Sequence, residues 1–177
     1  MKTKIAIIIA SKNFRDEEYF VTKEVLENKG YNIKTVSDKK NAIGKLGGEA
    51  VADLLIQDLN VDEFDSIIFA GGPGAMEFLD NEISYNICQE SIKEGKVLAA
   101  ICISPAILAK AGVLKDKRAT VWSSNMDKSA ISILKENGAI YNPGPVVVDE
   151  NIITANGPDV AEEFALNIDK ILKTSSI

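Results

Sequence analysis

The sequence predicts an α/β fold, with a mainly parallel central sheet and helices on both of its faces. Three observations carry this expectation. Continuous apolar runs of strand length alternate with segments of helical spacing. The connections between them are short. Glycines stand where several helical segments end. Residues 4–10 form an unbroken apolar run, as a central parallel strand requires. Residues 16–29 place Tyr19, Val21, Val25 and Leu26 at helical spacing, and Gly30 closes that helix. Residues 32–37 are a second strand. Residues 39–60 hold Gly44, Gly47 and Gly48, then Val51, Leu54 and Ile56, and predict a loop with short strands or a hairpin. Residues 66–70 form another buried strand that runs into Gly71-Gly72-Pro73-Gly74. A helix over 82–94 ends at Gly95, a strand follows over 97–101, and a helix over 104–111 precedes Gly112. Residues 119–122 read as a strand and 126–137 as a helix ended by Gly138. Strands over 146–149 and 152–155 flank Glu150-Asn151 as a tight hairpin. An amphipathic helix over 158–172 and a short tail over 174–177 complete the chain. No repeat, low-complexity segment or linker interrupts residues 1–177, which read as one domain.

The composition bounds the function. The 177 residues suffice for one sizeable core, and 46% hydrophobic with 26% charged residues is ordinary for a soluble globular chain. A net charge of −6 argues against nucleic acid and against an anionic membrane surface as partners. No apolar run is long enough to span a bilayer. The start of the chain superficially resembles a signal peptide. Its apolar run is too short, however, and Lys12 and Arg15 to Glu18 follow directly, so a buried first strand and a cytoplasmic location are expected. Two cysteines, Cys88 and Cys102, make neither a disulfide framework nor the paired spacing of a structural zinc site. There are 0 histidines, which removes Cys-His and Ser-His dyads and imidazole metal sites. No metal and no cofactor are expected.

In a parallel sheet, sites form beyond the carboxyl ends of the strands. Three features fall there: residues 12–18, residues 71–74, and Cys102. Cys102 sits between strand 97–101 and a helix opened by Ser104-Pro105, where proline suits the first turn. Such a cysteine occupies a tight elbow, near the positive end of a helix dipole and facing free backbone N–H groups. Both effects favour thiolate over thiol. A small buried core cysteine fits the same local pattern, and both readings stand at this level. Cys88, on a helix between Ile87 and Ile92, reads as a buried helical cysteine. The glycines of 71–74 let N–H groups approach an oxyanion closely, or simply make a tight connection. Their spacing is neither a dinucleotide fingerprint nor a P-loop. Asp16, Glu17 and Glu18 complement a helix dipole. The functional alternative is that one carboxyl turns inward onto the cysteine, where burial would keep it protonated and able to donate to sulfur.

The segment from Ala99 to Pro105, centred on Cys102, resembles the cysteine elbow of the ThiJ/PfpI superfamily (the DJ-one superfamily, with the class I glutamine amidotransferase-like fold). Phe69 to Gly74 resembles its glycine loop. Phe14 to Glu18 resembles its acidic loop, with Glu18 at the family's distance before Gly30. The stretches Glu94 to Val97, Ala111 to Leu114, Val147 to Asp149 with Asn151, and Gly157-Pro158 are also family-like. The resemblance spans nearly the whole chain. It implies a flavodoxin-like three-layer α/β/α sandwich and a homodimer. It also implies Cys102 as nucleophile or oxidation-sensitive thiolate, and Glu18 as the protonated carboxyl that hydrogen-bonds it. The N–H groups of Gly72 and Ile103 would hold an oxyanion or sulfinate. Gly71, Pro73, Ser104 and Trp122 would line the pocket.

The departures narrow the chemistry. Protease-like members carry histidine directly after the cysteine, where this chain has Ile103. Other members place a histidine on the strand after the elbow helix, roughly where Trp122 stands here. An arginine that some members supply near position 48 is replaced by Gly48, with Lys45 nearby. These departures argue against a Cys-His peptidase and against histidine-assisted glyoxalase chemistry; the resemblance implies a cysteine-dependent hydrolase or lyase, glyoxalase-like or hydratase-like, acting on small electrophiles such as reactive carbonyls. The alternative is a redox sensor or stress protein in which an oxidant converts Cys102 to sulfinate. A plain binding domain with a buried cysteine is a third reading.

Overall fold

A computed structural model of the chain describes residues 2–175. In chain order the elements are β1 (Lys4–Ile9), β2 (Lys12–Phe14), α1 (Asp16–Asn28), β3 (Asn32–Ser37), β4 (Asn41–Gly44), β5 (Glu49–Val51), β6 (Leu54–Leu55), β7 (Ser66–Phe69), α2 (Pro73–Phe78), α3 (Glu82–Lys93), β8 (Val97–Ile101), α4 (Pro105–Lys110), β9 (Arg118–Ala119), α5 (Ser129–Glu136), β10 (Ile140–Tyr141), β11 (Val146–Asp149), β12 (Ile152–Ala155) and α6 (Ala161–Ser175). Short 3-10 turns at Ile56–Asp58, Val61–Glu63 and Pro158–Val160 join some of them.

The central sheet has seven strands in the order β11-β12-β8-β7-β1-β3-β6. Every pairing in it is parallel except β11 with β12. The strands alternate in the side chains they present, yet both faces are buried. Ala6, Ile8, Ile67, Phe69, Leu98 and Ala100 pack with α3, α4 and α5. Ile5, Ile7, Ile9, Ile68, Ala99 and Ile101 pack with α1 and α6. A strand covered on both sides must be apolar at every position, which is why these segments read as continuous runs. The result is the three-layer sandwich expected. Truncating a fully buried strand residue such as Ile7 to alanine would cost about 2–5 kcal/mol.

The strand order also sets the site. From β1 the chain runs outward to β3 and β6, then returns to β7 on the other side of β1. β1, β7 and β8 are therefore neighbours, with Ile5 level with Ser66, and Ser66 level with Val97. The three features that follow their carboxyl ends are brought to one edge of the sheet, at its switch point.

Several expected elements are corrected. Pro73–Phe78 is a helix, α2, which begins with proline directly after Gly72. The strand expected over 119–122 is only Arg118–Ala119, paired with β10, because the N–H of Trp122 is drawn to the carbonyl of Cys102 instead. The helix expected from 126 begins at Ser129. Met126 is 98% exposed, and the Ser124 hydroxyl accepts the Asp127 N–H in a turn ahead of the helix. The short strands β2 and β10 carry no apolar run of strand length in the sequence. The last helix continues through Thr174 and Ser175, where a tail was expected; the remainder of that tail, 176–177, lies outside the described residues. The hairpin expected within 39–60 is β4 with β5, antiparallel. No helix among the described residues is long and apolar enough to cross a membrane.

Candidate active site

Cys102 occupies a left-handed backbone conformation, φ 64°, between β8 and α4. A non-glycine residue there costs roughly 1–2 kcal/mol, so its surroundings must hold it. They do so on both sides: its N–H donates to the Ala155 carbonyl at 2.9 Å, and its carbonyl accepts the Trp122 N–H at 2.8 Å. Ser104 is fully buried, and its hydroxyl donates to the Ala70 carbonyl at 2.6 Å, tying the start of α4 to the end of β7. Proline at the first helical position follows. The elbow thus projects the Cys102 side chain outward at the strand end.

The glycine loop lies against it. Gly72 has φ 101°, and a Cβ there would stand 2.5 Å from the backbone of Asn13 and Arg15. At Gly71 a Cβ would come within 2.6 Å of both Cys102 Cβ and Glu18 Oε2. Only glycine lets these chains meet. The amides of Gly72 and Ile103 donate toward the Cys102 sulfur.

The three acidic residues at the start of α1 divide. Asp16 accepts the N–H groups of Leu46 at 2.8 Å and Gly48 at 2.7 Å, fastening the β4–β5 turn. Glu17 pairs with Arg15 through Nε at 2.8 Å and Nη2 at 3.1 Å. Glu18 lies on the buried stripe it shares with Thr22 and Leu26, and is 1% exposed. Its Oε2 accepts the Gly71 N–H at 2.7 Å, while Oε1 is buried with no partner of full hydrogen-bond geometry. The group that faces the carboxyl is the Cys102 thiol.

Burial governs the titration of both. It pushes the Glu18 carboxyl up to about 7, against the downward pull of the Cys102 and Gly71 hydrogen bonds and the Arg15 charge. Burial also pushes the Cys102 thiol up, and the Glu18 charge and hydrogen bond push it further. The Gly72 and Ile103 amides oppose this, in the direction expected of the elbow, but do not outweigh it. α4 has six residues, fewer than two turns, and its dipole is correspondingly small. A charged Glu18 resists ionisation of the thiol, whereas the thiol hydrogen bond favours the Glu18 carboxylate, so the two groups titrate as a coupled pair. Sulfur ionises most readily while Glu18 keeps its proton, because a Glu18 carboxylate opposes a thiolate beside it.

Above the pair opens a cleft of about 680 Å³. Cys102, Gly72, Ile103, Pro73 and Trp122 line it. Gly71 and Ser104 do not: both lie beneath the cleft floor, occupied with Glu18 and Ala70. Arg15, Lys45, Ser123 and residues 156–159 also line it and were not assigned there from sequence. The last group follows β12, the neighbour of β8, so the strand-end rule that found Cys102 would also have found it. Among the described residues no group of three or more His, Cys, Asp or Glu side chains is placed to hold a metal ion.

Fold and site together define a flavodoxin-like α/β sandwich built around a cysteine elbow. The model of the DJ-1/PfpI family matches residues 3–171, and the chain belongs to that family. Protein MJ0967 of Methanocaldococcus jannaschii is 40% identical over 175 residues, covering 98% of this chain and 84% of its own. A deglycase of Pyrococcus abyssi is 30% identical, covering 94% of this chain and 98% of its own. The glutathione-independent glyoxalase DJR-1.2 of Caenorhabditis elegans is 28% identical, covering 97% and 91%. The crystal structure of a ThiJ/PfpI domain protein from Brachyspira murdochii superposes with a TM-score of 0.91 at 32% identity, covering 98% of this chain and 99% of that one.

Proposed function

We propose that the protein is a cysteine-dependent enzyme acting on small reactive carbonyl compounds, with Cys102 as nucleophile and Glu18 as its acid and base. The observation that carries this reading is the buried Glu18 carboxyl, held by Gly71 and turned onto the elbow thiol in a chain with 0 histidines. The deglycase and glyoxalase names among its relatives support the same substrate class.

For a 2-oxoaldehyde the steps follow from the groups present. Glu18 keeps its proton and Cys102 is the thiolate. Sulfur adds to the aldehyde carbon, a C–S bond forms, and the carbonyl π pair moves to oxygen. The amides of Gly72 and Ile103 stabilise that oxyanion before Glu18 protonates it. The Glu18 carboxylate then removes the proton from the thiohemiacetal carbon, the ketone oxygen takes up the hydroxyl proton by way of an enediol, and Glu18 returns its proton to the adjacent carbon, giving the thioester of a 2-hydroxy acid. Water hydrolyses the thioester to a 2-hydroxy acid and restores the thiol. With Ile103 where a Cys-His peptidase needs histidine, peptide hydrolysis of that type is not part of the reading.

The test is turnover of methylglyoxal by the wild type beside Cys102→Ser. The reading expects turnover in the first and its loss in the second; equal turnover in both would overturn it.

A second reading is supported by the unpartnered Glu18 Oε1, which as a protonated carboxyl has a hydrogen bond to give. Two equivalents of peroxide would oxidise the thiolate to sulfenate and then sulfinate, each losing one water, and Glu18 would hold a sulfinate oxygen. Intact mass after peroxide treatment tests it: a gain of two oxygens confined to Cys102 is expected, and an unmodified Cys102 would contradict it.

A further inference from the structure

The cleft is basic at one wall of an otherwise acidic chain. The net charge is −6, yet Arg15 and Lys45 both line the cleft beside Gly72. They are distant in sequence and joined by the fold. The Lys45 N–H donates to the Phe14 carbonyl at 2.8 Å, directly before Arg15. Asp16, directly after it, takes the N–H groups of Leu46 and Gly48. The turn that carries Lys45 is thus fastened on both sides of Arg15.

Arg15 is itself fixed. Its backbone N–H donates to the Gly71 carbonyl at 2.9 Å, and Glu17 holds Nε and Nη2. Nη1 and the second Nη2 hydrogen remain to donate. Lys45 is exposed and makes no ion pair among the described residues. Glu17 does not line the cleft; the acid that does is Asp159, after β12, and among the described residues no ion pair joins it to Arg15 or Lys45. The Arg15 charge is also felt at Glu18 and Cys102, so the cation stands within range of the reacting atoms.

We propose that Arg15 and Lys45 form an anion subsite beside Cys102, and that the preferred substrate is a small carbonyl compound carrying a carboxylate or phosphate group. The substrate clause rests on Cys102 acting as nucleophile; the anion subsite does not. Two cations on separate, pinned elements raise the local concentration of anions that the protein's net charge would otherwise repel. Two charged donors at one wall give charge-assisted hydrogen bonds that a neutral aldehyde cannot make. A cleft of about 680 Å³ suits a ligand of metabolite size.

The chain has a single tryptophan, Trp122, and it lines the cleft, so selectively excited tryptophan fluorescence reads this site. Cys102→Ser is titrated with pyruvate, with its neutral isostere pyruvamide, and with inorganic phosphate. Pyruvate or phosphate is expected to bind saturably, and the two arms separate a carboxylate site from a phosphate site. Pyruvamide should bind about ten-fold more weakly, and adding Arg15→Met or Lys45→Met should weaken the anion by about ten-fold each, with affinity falling as salt rises. In the wild type the same anion should raise KM for methylglyoxal without changing kcat. Equal affinity for pyruvate and pyruvamide without phosphate binding would overturn the subsite, as would anion binding that both substitutions leave unchanged. Intact anion binding with no carbonyl turnover would overturn the carbonyl reading and leave the subsite standing.

Discussion

Cys88 and Cys102 are the same side chain in two settings, and the contrast shows what makes a cysteine a candidate for chemistry. Cys88 is fully buried on α3 among Ile87, Leu98 and Ile107, and burial pushes its thiol up with no charged group against it. Cys102 also has a raised thiol, so the direction of the shift does not separate the two. The difference lies in what surrounds the sulfur. Cys102 stands at a strained elbow that opens to a cleft, two amides donate toward it, and a buried carboxyl faces it. Cys88 packs as a small apolar residue.

The contrast breaks most directly at the sulfur itself. Cys102→Ser is expected to lower methylglyoxal turnover by about 10³-fold or more, whereas Cys88→Ser keeps kcat. Steady-state kinetics on both variants checks this. Next in size, Gly71→Ala forces a methyl between Cys102 Cβ and Glu18 Oε2, where 2.6 Å separates them from the new atom. A displacement of the pair by about an ångström is expected to cost about 10²-fold in kcat/KM. A variant as active as the wild type would mean that the loop does not position the pair.

Glu18→Gln sharpens the comparison through pH. Glu18 is raised from 4.5 to about 7 in the folded protein. Between those values the native state holds a proton that the unfolded chain has lost. This contribution to stability is fully present below about pH 4.5 and is lost as pH rises through 7. On the order of 3 kcal/mol should disappear across that window in the wild type, and not in Glu18→Gln, as read by urea unfolding at several pH values. The same variant should lose the ionisation near pH 7 from its kcat/KM profile. The smallest effect is at the other cysteine: Cys88→Ser buries a hydroxyl among apolar side chains and should cost about 1–3 kcal/mol, seen as a lower Tm with chemistry intact.

The parts legible in the sequence were those that local pattern controls. β8 and β12 lie where apolar runs place them, because a doubly covered strand shows its burial at every residue. Cys102 and Gly72 were readable as the ends of such runs. Glu18 was readable only through family resemblance, although its place on the stripe with Thr22 and Leu26 marks it as the acid of three that must turn inward. α2 was hidden because Gly72-Pro73-Gly74 signals a turn, while in fact Gly72 caps a helix that proline starts. Residues 119–122 looked like a strand from their β-branched content, but the carbonyl of Cys102 claims the Trp122 N–H. Arg15 and Lys45 could not be joined from sequence, since their meeting depends on Phe14 and Asp16 fastening a distant turn.

The central claim is that Cys102 and Glu18 titrate as a coupled pair, and alkylation of the two cysteines by iodoacetamide across pH, read by peptide mass, tests it most directly. In the folded protein Cys102 should react with a rate that climbs to about pH 7 and then levels, Cys88 should stay unmodified, and Glu18→Gln should remove the inflection near 7. A Cys102 rate that keeps climbing through about pH 8.5 like a free thiol, and that Glu18→Gln leaves unchanged, would contradict the account.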